Sequence, residues 1–140
     1  MRPRSGEYHI RTTNGAVRFL GVGGPQMAAA GLSSLFDYSE LSIMGFAEVL
    51  PKIPRILQRA NAVVRQIAET KPDSVITIDS PGFNFRIVEK LRKLSIRAKF
   101  VHYVAPTVWA YKPERAARCA KLFDLMLTLL PFEPSYFEKE

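Results

Sequence analysis

The sequence predicts an α/β domain, a parallel sheet covered by helices on both faces, and two observations predict it. Short apolar runs alternate with amphipathic stretches of helical period, which is the pattern of strand–helix–strand units. The strand-like runs end in Gly, Pro, Asp or Ser, as expected where a buried strand gives way to a loop. At 140 residues the chain is long enough for one domain with a real hydrophobic core.

Met1 to Arg11 is polar and basic and carries no strand pattern. Val17 to Val22 reads as a strand leaving at Gly23, Gly24 and Pro25, and a short helix from about Gln26 to Ala30 is stopped by Gly31. Leu41 to Leu50 is a second apolar stretch, leading into a long helix started or broken by Pro51 and Pro54. Val49, Ile53, Ile56, Leu57, Ala60, Val63, Val64 and Ile67 recur there at helical steps, so one stripe faces the sheet. Lys71, Pro72 and Asp73 end that helix.

The next strand runs to Ile78, and Phe85 to Leu94 reads as the helix after it. Lys99 to Val104 reads as a strand, Pro113 to Phe123 as a helix with Pro in its first turn, and Leu125 to Leu130 as another strand. Pro134 opens a last helix. There are no repeats, low-complexity tracts or linkers.

Net charge of +7 and a pI near 9.8 favour anionic partners: nucleic acid, nucleotide phosphate or an anionic membrane surface. The single cysteine, Cys119, excludes an internal disulfide framework, and its neighbours Ala116, Ala120 and Phe123 point to a packed helix face rather than a nucleophile. Two histidines and one cysteine, far apart, give no zinc-ligand spacing. No apolar run approaches the roughly 18 residues of a membrane span, and the basic N-terminus lacks the apolar core of a signal peptide. The expected setting is cytosolic or peripheral to a membrane.

Chemistry concentrates at two strand ends. Val75 to Ile78 delivers Asp79, Ser80, Pro81 and Gly82 to the carboxyl edge of the sheet, where open α/β sheets bind ligands. Asp79 reads either as a helix N-cap or as a carboxylate placed for catalysis, and Phe83, Asn84 and Phe85 add a polar group and two rings to the same mouth. The second strand end carries His102, Tyr103, Thr107, Trp109 and Tyr111. These can stack on a sugar and bond its hydroxyls, or can simply form a rigid packed loop. Gly21-Val22-Gly23-Gly24-Pro25 does not have the G-x-G-x-x-G spacing of a dinucleotide turn, and Pro25 removes a donor, so these glycines read as a tight turn at the sheet edge.

Four motifs in order carry a resemblance: Gly21-Val22-Gly23-Gly24-Pro25-Gln26-Met27, Ser42-Ile43-Met44-Gly45-Phe46, Ile78-Asp79-Ser80-Pro81-Gly82-Phe83-Asn84, and His102 through Ala110. Leu129-Leu130-Pro131-Phe132-Glu133 continues the series, and from about Thr12 onward the chain resembles lipid-A-disaccharide synthases. The resemblance implies a Rossmann-like sheet forming an incomplete N-terminal half of a GT-B glycosyltransferase. Such an enzyme transfers a sugar from UDP-2,3-diacylglucosamine to 2,3-diacylglucosamine 1-phosphate, with no metal or organic cofactor. It implies Asp79 as catalytic base, with Asn84, His102, Thr107 and Trp109 on the substrate side. It also implies a peripheral location at the cytoplasmic face of the bacterial inner membrane.

In that setting Met44, Phe46, Leu50 and Ile53, flanked by Lys52, Arg55 and Arg59, suit a patch that dips among anionic headgroups, although the same apolar residues also suit a core-facing stripe. The family's opening strand has no counterpart in Met1 to Arg11, and its C-terminal nucleotide-binding domain, with the groups that grip UDP, has none either. The expectation is a fragment that is inactive and poorly soluble alone. Two rivals are a different nucleotide-dependent α/β enzyme, which would need a phosphate loop, and a basic nucleic-acid-binding module. The scattered lysines and arginines, without interleaved aromatics, speak against nucleic acid.

Overall fold

Alternation of buried and exposed side chains along Ser74–Ile78 and Lys99–Tyr103 sets the architecture, because one face of each strand packs against the described helices. The computed structural model describes residues 17–41, 53–108 and 114–138. The chain divides into two compact units, Met1–Ile56 and Leu57–Glu140.

In the first unit Pro25–Ala29 forms a short helix, α1, with proline in its first turn. The helix stops as expected at Gly31, whose φ of +99° suits glycine, and Leu32 N–H donates to the Met27 carbonyl at 3.0 Å. Val17 to Val22 does not become a ladder strand. Its backbone makes one isolated parallel bridge, Gly21 to Ser34, and Val17, Phe19 and Leu20 stay exposed. An apolar run supplies β propensity, but a strand also needs a paired neighbour, and periodicity does not report one. Gly23 sits in a close approach, since a Cβ there would lie 2.5 Å from the Met27 sulfur and 2.6 Å from a Leu32 methyl and both side chains would have to shift. A 3-10 turn at Tyr38–Leu41 follows Asp37, whose carboxylate accepts the Ser39 N–H at 2.9 Å.

The long helix α2, Ile53–Thr70, buries Ala60 and Val64 and ends at Lys71, which takes a left-handed φ of +45° before Pro72. Three parallel strands follow, β1 (Ser74–Ile78), β2 (Lys99–Tyr103) and β3 (Leu125–Leu127), in the order β1-β2-β3. Register pairs Ser74 with Lys99 through Ile78 with Tyr103, and Val101 with Leu125 through Tyr103 with Leu127. The connections are helices α3 (Pro81–Lys93) and α4 (Arg115–Leu122), and a short α5 (Pro134–Phe137) ends the described residues. This is the α/β parallel sheet flanked by helices that the alternating pattern predicts, with the helix packing among the described residues on one face of the sheet.

One sheet face and the helices share a single core, in which Val75 and Phe100 meet Ala60, Val64, Phe85, Val88, Leu91 and Leu122. The other face carries Ile76, Ile78, Tyr103, Leu125 and Leu127, all exposed. Cys119 is buried in the core as the sequence suggests, and burial pushes its thiol up to about 11. Such a thiol is protonated and inert near neutral pH.

Boundaries differ from expectation in two informative places. Helix α3 starts at Pro81 rather than Phe85, because Pro81 is preorganised for the first turn and the Ser80 carbonyl accepts the N–H groups of Phe83 and Asn84, each at 3.0 Å. Strand β3 stops at Leu127 instead of Leu130, because the buried carboxylate of Glu133 accepts the N–H groups of Leu129 and Leu130, each at 2.9 Å. Those donors are withdrawn from any ladder.

Candidate functional site

At the carboxyl edge the ladder continues one step beyond each strand pair. Asp79 N–H donates to the Tyr103 carbonyl at 2.9 Å, and Val104 N–H donates to the Leu127 carbonyl at 3.1 Å. Immediately there the backbone leaves ordinary conformations: Asp79, Ser80 and Val104 have φ of +50°, +43° and +71°. None is glycine, and Val104 is β-branched, so each costs on the order of 1–3 kcal/mol that surrounding contacts must offset. Strain of this kind gathers where a side chain must point in one particular direction.

Asp79 is exposed at this edge. Helix α3 begins two residues later, and the helix is anchored from below by buried Phe85, Ile87, Val88 and Leu91. Asn84 lies in its first turn, and the side-chain Nδ2 donates to the carbonyls of Ile78 at 3.1 Å and Asp79 at 2.7 Å. A primary amide has two hydrogens, so both are used on the backbone. The expectation that Asn84 greets a substrate thus meets a geometry that leaves only its Oδ1 unengaged by these bonds. The shift of the helix start from Phe85 to Pro81 is the reason, because it tucks Asn84 under the strand end.

His102 is fully buried, not displayed at the edge. Alternation along β2 puts it on the same face as Phe100, where its ring meets Phe85 edge-on at 5.2 Å and Phe123 at 5.0 Å. Its Nδ1 lies 2.7 Å from the Thr77 hydroxyl, which also reaches the Val101 carbonyl at 3.2 Å. Which of the two donates in the short contact follows the ring tautomer. Among the described residues Nε2 has no partner. Burial lowers the ring's pKa from 6.5, against the opposing pulls of the Asp79 charge and a hydrogen bond to the Val104 backbone, so the imidazole is neutral at pH 7. The parity shared with Phe100 was the sequence signal for this placement.

Beyond Val104 the chain packs: Ala105, Pro106 and Val108 are buried, whereas Thr107 is exposed. This agrees with a rigid loop that presents Thr107 outward from the second strand end. Trp109 lies outside the described residues, as do Met44, Phe46 and Leu50 of the apolar patch, whereas Ile53 is described and exposed. Among the described residues no three His, Cys, Asp or Glu side chains cluster as metal ligands, and no helix is long and apolar enough to cross a membrane.

Sequence reasoning missed two polar groups that shape this end of the domain. Glu133 holds the turn after β3, and Asp124 closes both main-chain groups of Phe100, accepting its N–H at 2.7 Å and donating to its carbonyl at 2.8 Å. The only sequence signal was an acidic residue next to the start or end of an apolar run.

Residues 7–140 match the sequence model of the Lipid-A-disaccharide synthetase family. Among curated relatives, the lipid-A-disaccharide synthase of Rhodospirillum centenum is 50% identical over 124 residues, 89% of this chain and 31% of that protein. That of Paramagnetospirillum magneticum is 51% identical, covering 89% of this chain and 32% of its own length. That of Rickettsia conorii is 48% identical over 127 residues, 90% of this chain and 28% of its own. The chain therefore spans about a third of the length of these relatives. A family match over nearly the whole chain, on a parallel sheet whose strained edge presents Asp79, means that the chain belongs to the lipid-A-disaccharide synthase family.

Proposed function

We propose that the full-length enzyme containing this segment is an inverting glycosyltransferase in which Asp79 is the catalytic base. The acceptor is 2,3-diacylglucosamine 1-phosphate and the donor UDP-2,3-diacylglucosamine. Asp79 takes the proton of the acceptor 6-hydroxyl as that oxygen bonds to the anomeric carbon of the donor. The carbon–oxygen bond to UDP breaks on the opposite side, and UDP leaves with the bonding pair. Attack opposite the leaving group gives a β-1,6-linked disaccharide 1-phosphate.

One observation carries this reading: an exposed carboxylate stands on a left-handed, non-glycine turn at the carboxyl edge of a parallel sheet. An ordinary N-cap does not account for it, since the N-cap of α3 is Ser80 rather than Asp79. Thr107, exposed at the neighbouring strand end, and Trp109 are the residues proposed to meet the sugars. His102 lies in the core, touching Phe85 and Phe123.

The same reading places the enzyme on the cytoplasmic face of the inner membrane, where acylated substrates reside. Met44, Phe46, Leu50 and Ile53 are proposed to enter the headgroup region, with the net positive charge of the chain attracting anionic lipid.

The test is turnover of Asp79→Asn and Asp79→Ala in a chimera where this chain replaces the matching segment of the Rhodospirillum centenum enzyme. Loss of a general base lowers kcat by roughly 10²–10⁴ with little change in KM. Near-normal turnover of either variant would sink the assignment.

A further inference from the structure

The turn that carries Asp79 contains no glycine, yet two consecutive residues, Asp79 and Ser80, sit in left-handed space. Something must hold them there. The described contacts identify one side chain that bonds to this turn, Asn84, whose Nδ2 reaches the carbonyls of Ile78 and Asp79 at 3.1 and 2.7 Å. These carbonyls flank the bend, one on the last strand residue and one on the residue that carries the carboxylate.

The amide orientation follows from the partners. Turned over, Asn84 would aim a carbonyl oxygen at two carbonyl oxygens, which repel, so both donors face the turn. The base of the strut is rigid. Asn84 N–H and Phe83 N–H each donate to the Ser80 carbonyl at 3.0 Å, and Phe85, the next residue, is buried against His102 and Phe123.

We propose that Asn84 is a positioning residue: its side-chain amide clamps the left-handed Asp79–Ser80 turn to the first turn of helix α3 and thereby aims the Asp79 carboxylate. Asn84 then acts on the reaction through the backbone of Asp79, without touching either sugar. The catalytic part of this inference rests on Asp79 being the base. The clamp itself does not.

That separation defines the experiment. Glycine adopts the left-handed region without a Cβ penalty, so Ser80→Gly makes the turn less dependent on the clamp. In the chimeric enzyme, Asn84→Ala lowers kcat by about tenfold to a hundredfold, as expected for a reacting group misplaced by a fraction of an ångström to an ångström, and leaves KM for both substrates within about twofold. Adding Ser80→Gly to Asn84→Ala recovers most of the lost kcat. A rise in KM at unchanged kcat, or a double variant no faster than Asn84→Ala, overturns the positioning role in favour of direct ligand contact.

Thermal unfolding of the chimeric enzyme, with no substrate present, reads the clamp independently. Asn84→Ala lowers Tm by several degrees and Ser80→Gly restores part of the loss, in the Asp79 and Asp79→Asn backgrounds alike. If Asp79→Asn proves active while this coupling persists, the base assignment fails and the clamp stands. Absence of coupling in both backgrounds refutes the clamp whatever Asp79 does. Should Asn84→Ala not fold, Asn84→Ser, which retains one donor on a shorter arm, gives the same readouts.

Discussion

Thr77→Val removes a hydroxyl from the core while nearly conserving shape, and the structure says what that exposes. Thr77 is the described partner of the His102 ring, at 2.7 Å, and Nε2 already lacks one. The variant therefore leaves Nδ1 without its Thr77 partner in a site with no solvent access, a loss of about 1–3 kcal/mol. Replacing both residues, Thr77→Val with His102→Leu, removes every polar atom of the pair. The double variant should then cost less than the sum of the singles by about 1–2 kcal/mol.

Urea unfolding of the chimeric enzyme at pH 7.5 measures this through the midpoint of the transition at constant m. Acid provides a second reading on the same samples. Burial depresses the folded-state pKa of His102 below 6.5, so as pH falls through 6.5 the unfolded ring takes up a proton that the folded ring refuses. Stability is thus intact above 6.5 and declines below it by at most about 1.4 kcal/mol per pH unit, until the folded value is reached. His102→Leu should remove that component. Coupling below about 0.5 kcal/mol, or an acid decline just below 6.5 that is identical in His102→Leu, would refute the core assignment of this histidine.

Asp124→Ala leaves the N–H of fully buried Phe100 without its carboxylate and removes the Arg92 ion pair, so Tm should drop by about 5 °C, equivalent to roughly 2 kcal/mol, in a calorimetric scan. The Phe100 N–H holds this carboxyl below its usual 3.8, so the contribution is present above that value and lost as pH falls through the folded one. An unchanged midpoint would mean that water replaces the carboxylate at no cost. For the membrane patch, Met44→Asp combined with Phe46→Asp should abolish sedimentation with anionic liposomes, and undiminished sedimentation would remove these residues from the interface.

The alternation of strands and helices was legible because one-face burial writes itself as period two in Val75 and Thr77, and as period 3.6 in Ala60 and Val64. Asp79 at a strand end was legible for the same reason. The conformation that makes Asp79 unusual was not, since Asp and Ser in left-handed space carry no compositional mark, unlike glycine. Pairing partners were equally hidden: Val17 to Val22 has the composition of a strand and makes one bridge. The length of β3 depended on Glu133, whose carboxylate competes for N–H groups that apolarity alone would assign to the sheet. His102 was misread by residue type, because a polar ring near a strand end invites a ligand, whereas its parity with Phe100 assigns it to the core.

The measurement that bears most directly on the role of Asp79 is the pH dependence of kcat/KM for the chimeric enzyme and its Asp79→Asn variant. With Asp79 as the base, the variant keeps only a slow residual rate whose profile lacks the acid limb of the parent. An acid limb of the same position and slope in Asp79→Asn would show that another group takes the proton.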